Sequence, residues 1–137
     1  MRTIVDTGPL VAFLNKNDTY HGWAREQFAR VPGPYFACEA VVTEACYLVG
    51  RASVGPAAIL ELVARGVLKL DFSLGGEIET VRRLMARYAD AGISLADACL
   101  VRMSELHPRC QVMTTDRDFV VYRRDGRRAI PLLAPFG

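Results

Sequence analysis

A chain of 137 residues with 51% hydrophobic content and a net charge of +2 has the size of one ordinary domain and enough apolar material for a single core. That composition excludes global disorder, and the longest apolar runs, such as Gly8 to Leu14 and Ala45 to Val49, fall far below the roughly 18 residues a transmembrane helix needs. The apolar opening Thr3 to Leu14 is broken by Asp6 and runs into Asn15-Lys16-Asn17-Asp18, so no secretory leader is expected; the expected compartment is the cytoplasm, with no membrane contact.

Thr3 to Asp6 reads as a short buried strand, and Thr7-Gly8-Pro9 breaks it before Leu10 to Leu14, which suits a helix with proline in its first turn. Asp18 to Val31 places Ala24, Phe28 and Val31 at helical spacing and stops at Pro32-Gly33-Pro34. Helices are predicted over Glu39 to Arg51 and over Pro56 to Arg65, the second capped by Gly66. Val67 to Phe72 alternates like a strand. Glu77 to Ala91 reads as a helix closed by Gly92, and Ser94 to Leu106 as another closed by His107-Pro108. Gln111 to Thr115 is the next predicted strand, Asp116 to Arg124 a short helix, and Ala129 to Leu133 the last strand. Strands alternating with helices predict an α/β domain spanning 1–137, with a mostly parallel sheet covered by helices on both faces. Ligands in such folds sit at the carboxyl ends of the strands.

Cys38, Cys46, Cys99 and Cys110 lack the close pairing of zinc sites and redox motifs. If Cys38 and Cys46 share a helix, they stand about 12 Å apart, beyond disulfide reach, so buried free thiols are predicted. The cations are 15 Arg against 2 Lys. That balance suits bidentate phosphate contacts and equally reflects a GC-rich genome. Arg82, Arg83 and Arg87, with Arg117, Arg123, Arg124, Arg127 and Arg128, are candidates to track a nucleic-acid backbone, although a solvated surface is the simpler reading of each.

Four carboxylates stand where a core or a ligand rim should be. Asp6 ends the first strand and Asp116 follows the strand before it, so in a parallel sheet both reach one rim. Glu44 shares a helical stripe with Ala40, Val41, Tyr47 and Leu48, and that stripe is predicted to face inward. Asp97 lies with Leu100 and Val101 on another apolar stripe. Gathering ionised carboxylates costs several kcal/mol at least unless a positive charge sits between them. The immediate segments offer only Arg102 and Arg117, so a hard cation with oxygen ligands, Mg²⁺ or Mn²⁺, is the simplest compensation. Each acid also has a structural reading. Asp116 can cap the helix after it, Ser94-x-x-Asp97 has the form of a capping box, and Asp6 can stabilise the turn before Gly8. Glu44 has only an arginine ion pair to offer in that sense. The inference rests on the four together.

In order along the chain, Ile4-Val5-Asp6-Thr7-Gly8-Pro9-Leu10, Asp18-x-x-His21, Thr43-Glu44-Ala45, Tyr88-Ala89-Asp90 to Ser94-Leu95-Ala96-Asp97-Ala98, and Thr114-Thr115-Asp116-Arg117-Asp118-Phe119 cover nearly the whole sequence. This set resembles the PIN-domain ribonucleases, most closely the VapC-like toxins of bacterial toxin-antitoxin pairs. The resemblance implies a three-layer α/β/α sandwich with a five-stranded, mostly parallel sheet. It implies that Asp6, Glu44, Asp97 and Asp116 are catalytic and hold Mg²⁺ or Mn²⁺, with Thr7, Thr115 and Asp118 as supporting polar groups. It further implies RNA as substrate, a cognate VapB-like antitoxin and a homodimer.

Clustered acids and hard cations without a serine or cysteine nucleophile suit phosphodiester hydrolysis by metal-activated water. Neither His21 beside a turn nor His107 at a helix end is a candidate base. Trp23, Phe28, Tyr47 and Tyr88 are read as core or interface residues before base-stacking platforms. The alternative from another class is a non-catalytic PIN-like module that binds RNA or a protein, its acids met by a partner's arginine. A phosphatase working through an aspartyl-phosphate would want a second acid two residues after Asp6, where Gly8 stands.

Overall fold

Two strands from opposite ends of the chain form the centre of the sheet. In the computed structural model, which describes residues 1–52 and 54–136, β1 (Arg2–Val5) pairs in parallel with β4 (Cys110–Met113), in a register that sets Val5 beside Met113. Ile4, Val5, Val112 and Met113 have no exposed surface, as expected of strands covered on both faces. β2 (Tyr35–Phe36) and β3 (Leu68–Lys69) extend the sheet on one side of β1, and β7 (Leu132–Leu133) extends it beyond β4. The order is β3-β2-β1-β4-β7 and every pairing in it is parallel.

Six helices supply the crossovers and the outer layers: α1 (Thr7–Leu14), α2 (His21–Arg30), α3 (Glu39–Arg51), α4 (Ala57–Ala64), α5 (Ile78–Arg87) and α6 (Leu95–Leu106). Five of them lie close to the predicted spans, and the sixth, predicted over Glu77 to Ala91, is shorter. α5 ends at Arg87, a separate 3-10 turn covers Ala89–Ala91, and Gly92 closes it at φ 72°. Among the described residues no helix is long and apolar enough to cross a membrane. The four cysteines are free; Cys38 stands just before α3 and does not share that helix with Cys46.

Three other expectations are corrected. β2 was not predicted, because two residues directly after Pro-Gly-Pro carry no periodicity. The predicted strands over Val67 to Phe72 and Ala129 to Leu133 shrink to the two residues that find a partner in the sheet, since an edge position has only one side to pair. The predicted helix over Asp116 to Arg124 is a 3-10 turn (Arg117–Val120) followed by a hairpin, β5 (Arg123–Arg124) with β6 (Arg128–Ala129). Asp125 and Gly126 turn this hairpin at φ 54° and 80°, the left-handed geometry that Asp-Gly favours.

This topology fixes where a ligand sits. From β1 the chain winds outward through β2 and β3, then crosses back to β4 on the other side. β1 and β4 therefore flank a switch point, and the crevice beyond their carboxyl ends is the natural binding site of an open parallel sheet.

Candidate active site

Asp6 leaves β1 directly into that crevice and serves as the N-cap of α1. Its Oδ1 accepts from the Thr7 backbone N–H at 2.8 Å and its Oδ2 from the Thr114 hydroxyl at 2.7 Å. Only 6% of Asp6 is exposed. Burial pushes its carboxyl up to about 7; the bonds from Thr114 and Thr7 oppose that shift, and the nearby charges of Asp97 and Asp116 add to it.

Asp116 arrives from β4, three residues past the strand end. Its backbone N–H donates to the Thr114 hydroxyl at 2.9 Å, and its Oδ1 accepts from the Asp118 N–H at 2.9 Å, capping the 3-10 turn. The predicted capping role of Asp116 is thus real and coexists with membership of the cluster. Asp97 comes from the first turn of α6, a helix that runs antiparallel to β4 and so starts at the same rim. The Ser94 hydroxyl accepts from the Asp97 N–H at 3.0 Å, and Asp97 Oδ2 accepts from the Tyr122 hydroxyl at 2.8 Å. Burial raises the Asp97 carboxyl above its ordinary value; Tyr122 and Ser94 lower it, while Asp116 and Glu44 raise it further.

Asp6, Asp97 and Asp116 each offer a carboxylate oxygen within 4.8 Å of the others. Among the described residues no ion pair involves any of the three. An all-oxygen donor set of like charges with no protein cation fits a hard divalent ion and poorly fits zinc or copper. The Thr7 hydroxyl, next in the chain to Asp6, is buried without a hydrogen-bond partner.

Glu44 does not join this triad. The stripe of α3 that faces inward is Val41, Ala45 and Val49, whereas Glu44 is exposed and Tyr47 is 64% exposed, so the expected inward stripe is corrected by one helical register. Glu44 lines a groove with Ser94, Leu95 and Ala96, close enough for its charge to be felt at Asp97. Of the supporting groups, Asp118 is exposed and contributes its backbone. Thr115 packs its hydroxyl where a side chain at Gly8 would sit: a Cβ there would lie 2.2 Å from Thr115 Oγ1. Gly8 thus lets the start of α1 close against the exit of β4.

Sequence reasoning missed two residues, Thr114 and Tyr122. Thr114 has no exposed surface and joins Asp6 to the backbone of Asp116. A polar residue at the end of an otherwise apolar strand was its available signal. The arginines are mostly committed elsewhere: Arg102 pairs with Glu77 and Glu105, Arg82 with Glu79, and Arg128 with Asp125. Arg124, expected on a solvated surface, is buried and donates to the Ser104 and Pro108 carbonyls. His21 Nδ1 contacts the Ala12 carbonyl at 2.7 Å, a structural role.

Comparison with known proteins agrees with this fold. The family model for the PIN domain matches residues 3–125. Ribonuclease VapC26 of Mycobacterium tuberculosis is 31% identical over 121 residues, covering 83% of this chain and 86% of that protein. The crystal structure of Mycobacterium tuberculosis VapC20, described as a sarcin-ricin-loop-cleaving toxin, superposes with a TM-score of 0.79 at 20% identity, over 87% of this chain and 93% of the other.

Proposed function

The chain belongs to the PIN-domain family, among its VapC-like ribonucleases, and from that premise we propose that it is a metal-dependent endoribonuclease whose site is Asp6, Asp97 and Asp116, assisted by Glu44. The observation that carries this reading is the convergence of three carboxylates, uncompensated by any described cation, at the switch point of the sheet.

Asp6, Asp97 and Asp116 are the residues that would hold Mg²⁺ or Mn²⁺. A divalent ion held there would supply an acidified water and a positive charge for the phosphate under attack. The chain's own contribution is rigidity. Thr114 and the Thr7 N–H fix both oxygens of Asp6, and the Asp118 N–H fixes one oxygen of Asp116, so little reorganisation remains when substrate arrives. Glu44, exposed in the groove beside Ser94 to Ala96, would help to position a metal or the attacking water. Thr7 and Thr115 support the start of α1. Asp6, already held by two donors and buried, stays fixed while the more exposed Asp116 faces the entering phosphate.

The substrate is RNA; a VapB-like antitoxin and a second copy of the chain are the expected partners, and the cytoplasm the expected compartment. The direct test is incubation of purified protein with mixed single-stranded RNA, with and without Mg²⁺ or Mn²⁺, beside a phosphatase substrate. Metal-dependent fragments that disappear in Asp6→Asn and Asp97→Asn, at least 100-fold slower though folded, support the assignment. Tight RNA retention without cleavage would favour a binding module instead. Unfolding of both variants, with full activity per folded molecule, would make the acids structural.

A further inference from the structure

Tyr122 lies outside every motif that the sequence brought forward, yet its hydroxyl donates to Asp97 Oδ2 at 2.8 Å. The tyrosine has no exposed surface. Its ring meets Tyr88 and Phe119 edge-to-face, with centroids 5.2 Å away in both cases. The backbone on either side is held too. The Tyr122 N–H donates to the Asp118 carbonyl at 3.3 Å, and the next N–H, of Arg123, donates to the Tyr88 hydroxyl at 2.9 Å. One residue further, the buried Arg124 side chain donates to the Ser104 and Pro108 carbonyls, anchoring this segment to the far end of α6, the helix that carries Asp97 in its first turn.

Asp97 is only half-buried and stands beside two like charges, Asp6 and Asp116. Left to itself, a carboxylate in that position turns toward water and away from its neighbours, because repulsion and solvation act in the same direction. A rigid donor on the inner side opposes that rotation. We infer that Tyr122 is a positioning residue, which holds Asp97 Oδ2 so that the Asp97 carboxylate stays turned toward Asp6 and Asp116. This rests on the proposed metal-dependent site and extends it from the residues that bind to the one that aims. Outer groups that orient a metal-binding carboxylate commonly change metal affinity by 10-fold or more when removed.

Tyr122→Phe removes the hydroxyl and keeps the ring. Tyr35→Phe is the control, since it removes a part-buried tyrosine hydroxyl that bonds the Phe28 and Val31 carbonyls and touches neither an acid nor the Tyr122 segment. Calorimetric titration of the purified full chain with Mn²⁺ should give a dissociation constant about 10-fold or more weaker for Tyr122→Phe. Tyr35→Phe should bind as the wild type does, whatever its urea midpoint. In RNA cleavage, the Tyr122→Phe defect should appear in the Mn²⁺ concentration needed for half-maximal rate and be recovered at saturating Mn²⁺. Wild-type affinity in Tyr122→Phe would overturn the inference while leaving the nuclease reading intact, and equal weakening in both variants would overturn it by reducing Tyr122 to packing. A wild-type protein that takes up no Mn²⁺ overturns both.

Discussion

Asp6 carries the largest electrostatic cost in the site, and that cost has a pH signature. Its folded carboxyl keeps a proton up to about pH 7, whereas in the unfolded chain an aspartate ionises near 4. Between those values the folded state binds more protons, so this group's contribution is fully present below about pH 4 and is lost as the pH rises through 7. Metal-free protein should therefore lose on the order of a few kcal/mol from this group across that window, read as the difference in urea stability between wild type and Asp6→Asn. A difference that stays flat from pH 4 to 8 would contradict the buried, proton-holding Asp6. The reading of Asp6 and Asp116 from sequence succeeded because an acid at the end of an apolar strand is a local feature. Thr114 escaped notice because its importance lies in which residue it touches across the sheet, Asp6, 108 positions away.

Among the elements, the start of α1 approaches the exit of β4 closely at Gly8. With Thr115 Oγ1 where a Gly8 side chain would go, Gly8→Ala must rotate or displace that hydroxyl. Alone it should destabilise; in a Thr115→Ala background it should be neutral or stabilising by up to about 1 kcal/mol, the helical advantage of alanine over glycine. Thermal unfolding of the four proteins closes this cycle, and strict additivity would mean that the contact carries no weight. The same scale explains the errors in reading α3 and the hairpin. On α3 the expected stripe, Ala40, Val41, Glu44, Tyr47 and Leu48, overlaps the one that packs inward, Val41, Ala45 and Val49, and both are apolar enough to seem internal. Packing chose the second and left Glu44 at the groove. In the hairpin, Asp125-Gly126 offered a turn signal that the surrounding arginines obscured, since a charged run fits a solvated helix equally well.

For the molecule as a whole, metal binding and folding should be linked, because the triad exists only when β1, β4 and α6 are assembled. Mn²⁺ at 100 times its dissociation constant should stabilise the protein by about 2.7 kcal/mol, roughly 10 °C in Tm for a domain of this size. Differential scanning fluorimetry with and without Mn²⁺ measures this, and the shift should largely vanish in Asp97→Asn. An equal shift in that variant would place the ion elsewhere. The alternation of apolar strands and helices, the stops at Gly and Pro, and the acids at Asp6 and Asp116 were written in short stretches of chain, since they depend on backbone preferences and spacing within a few residues. Which carboxylates meet, that Tyr122 holds one of them, and that Glu44 stands outside were decided only by tertiary packing, because those relations join residues 19 to more than 100 positions apart. Local patterning constrains the face a side chain occupies, but it carries no information about the charge or hydroxyl that a distant segment brings against it.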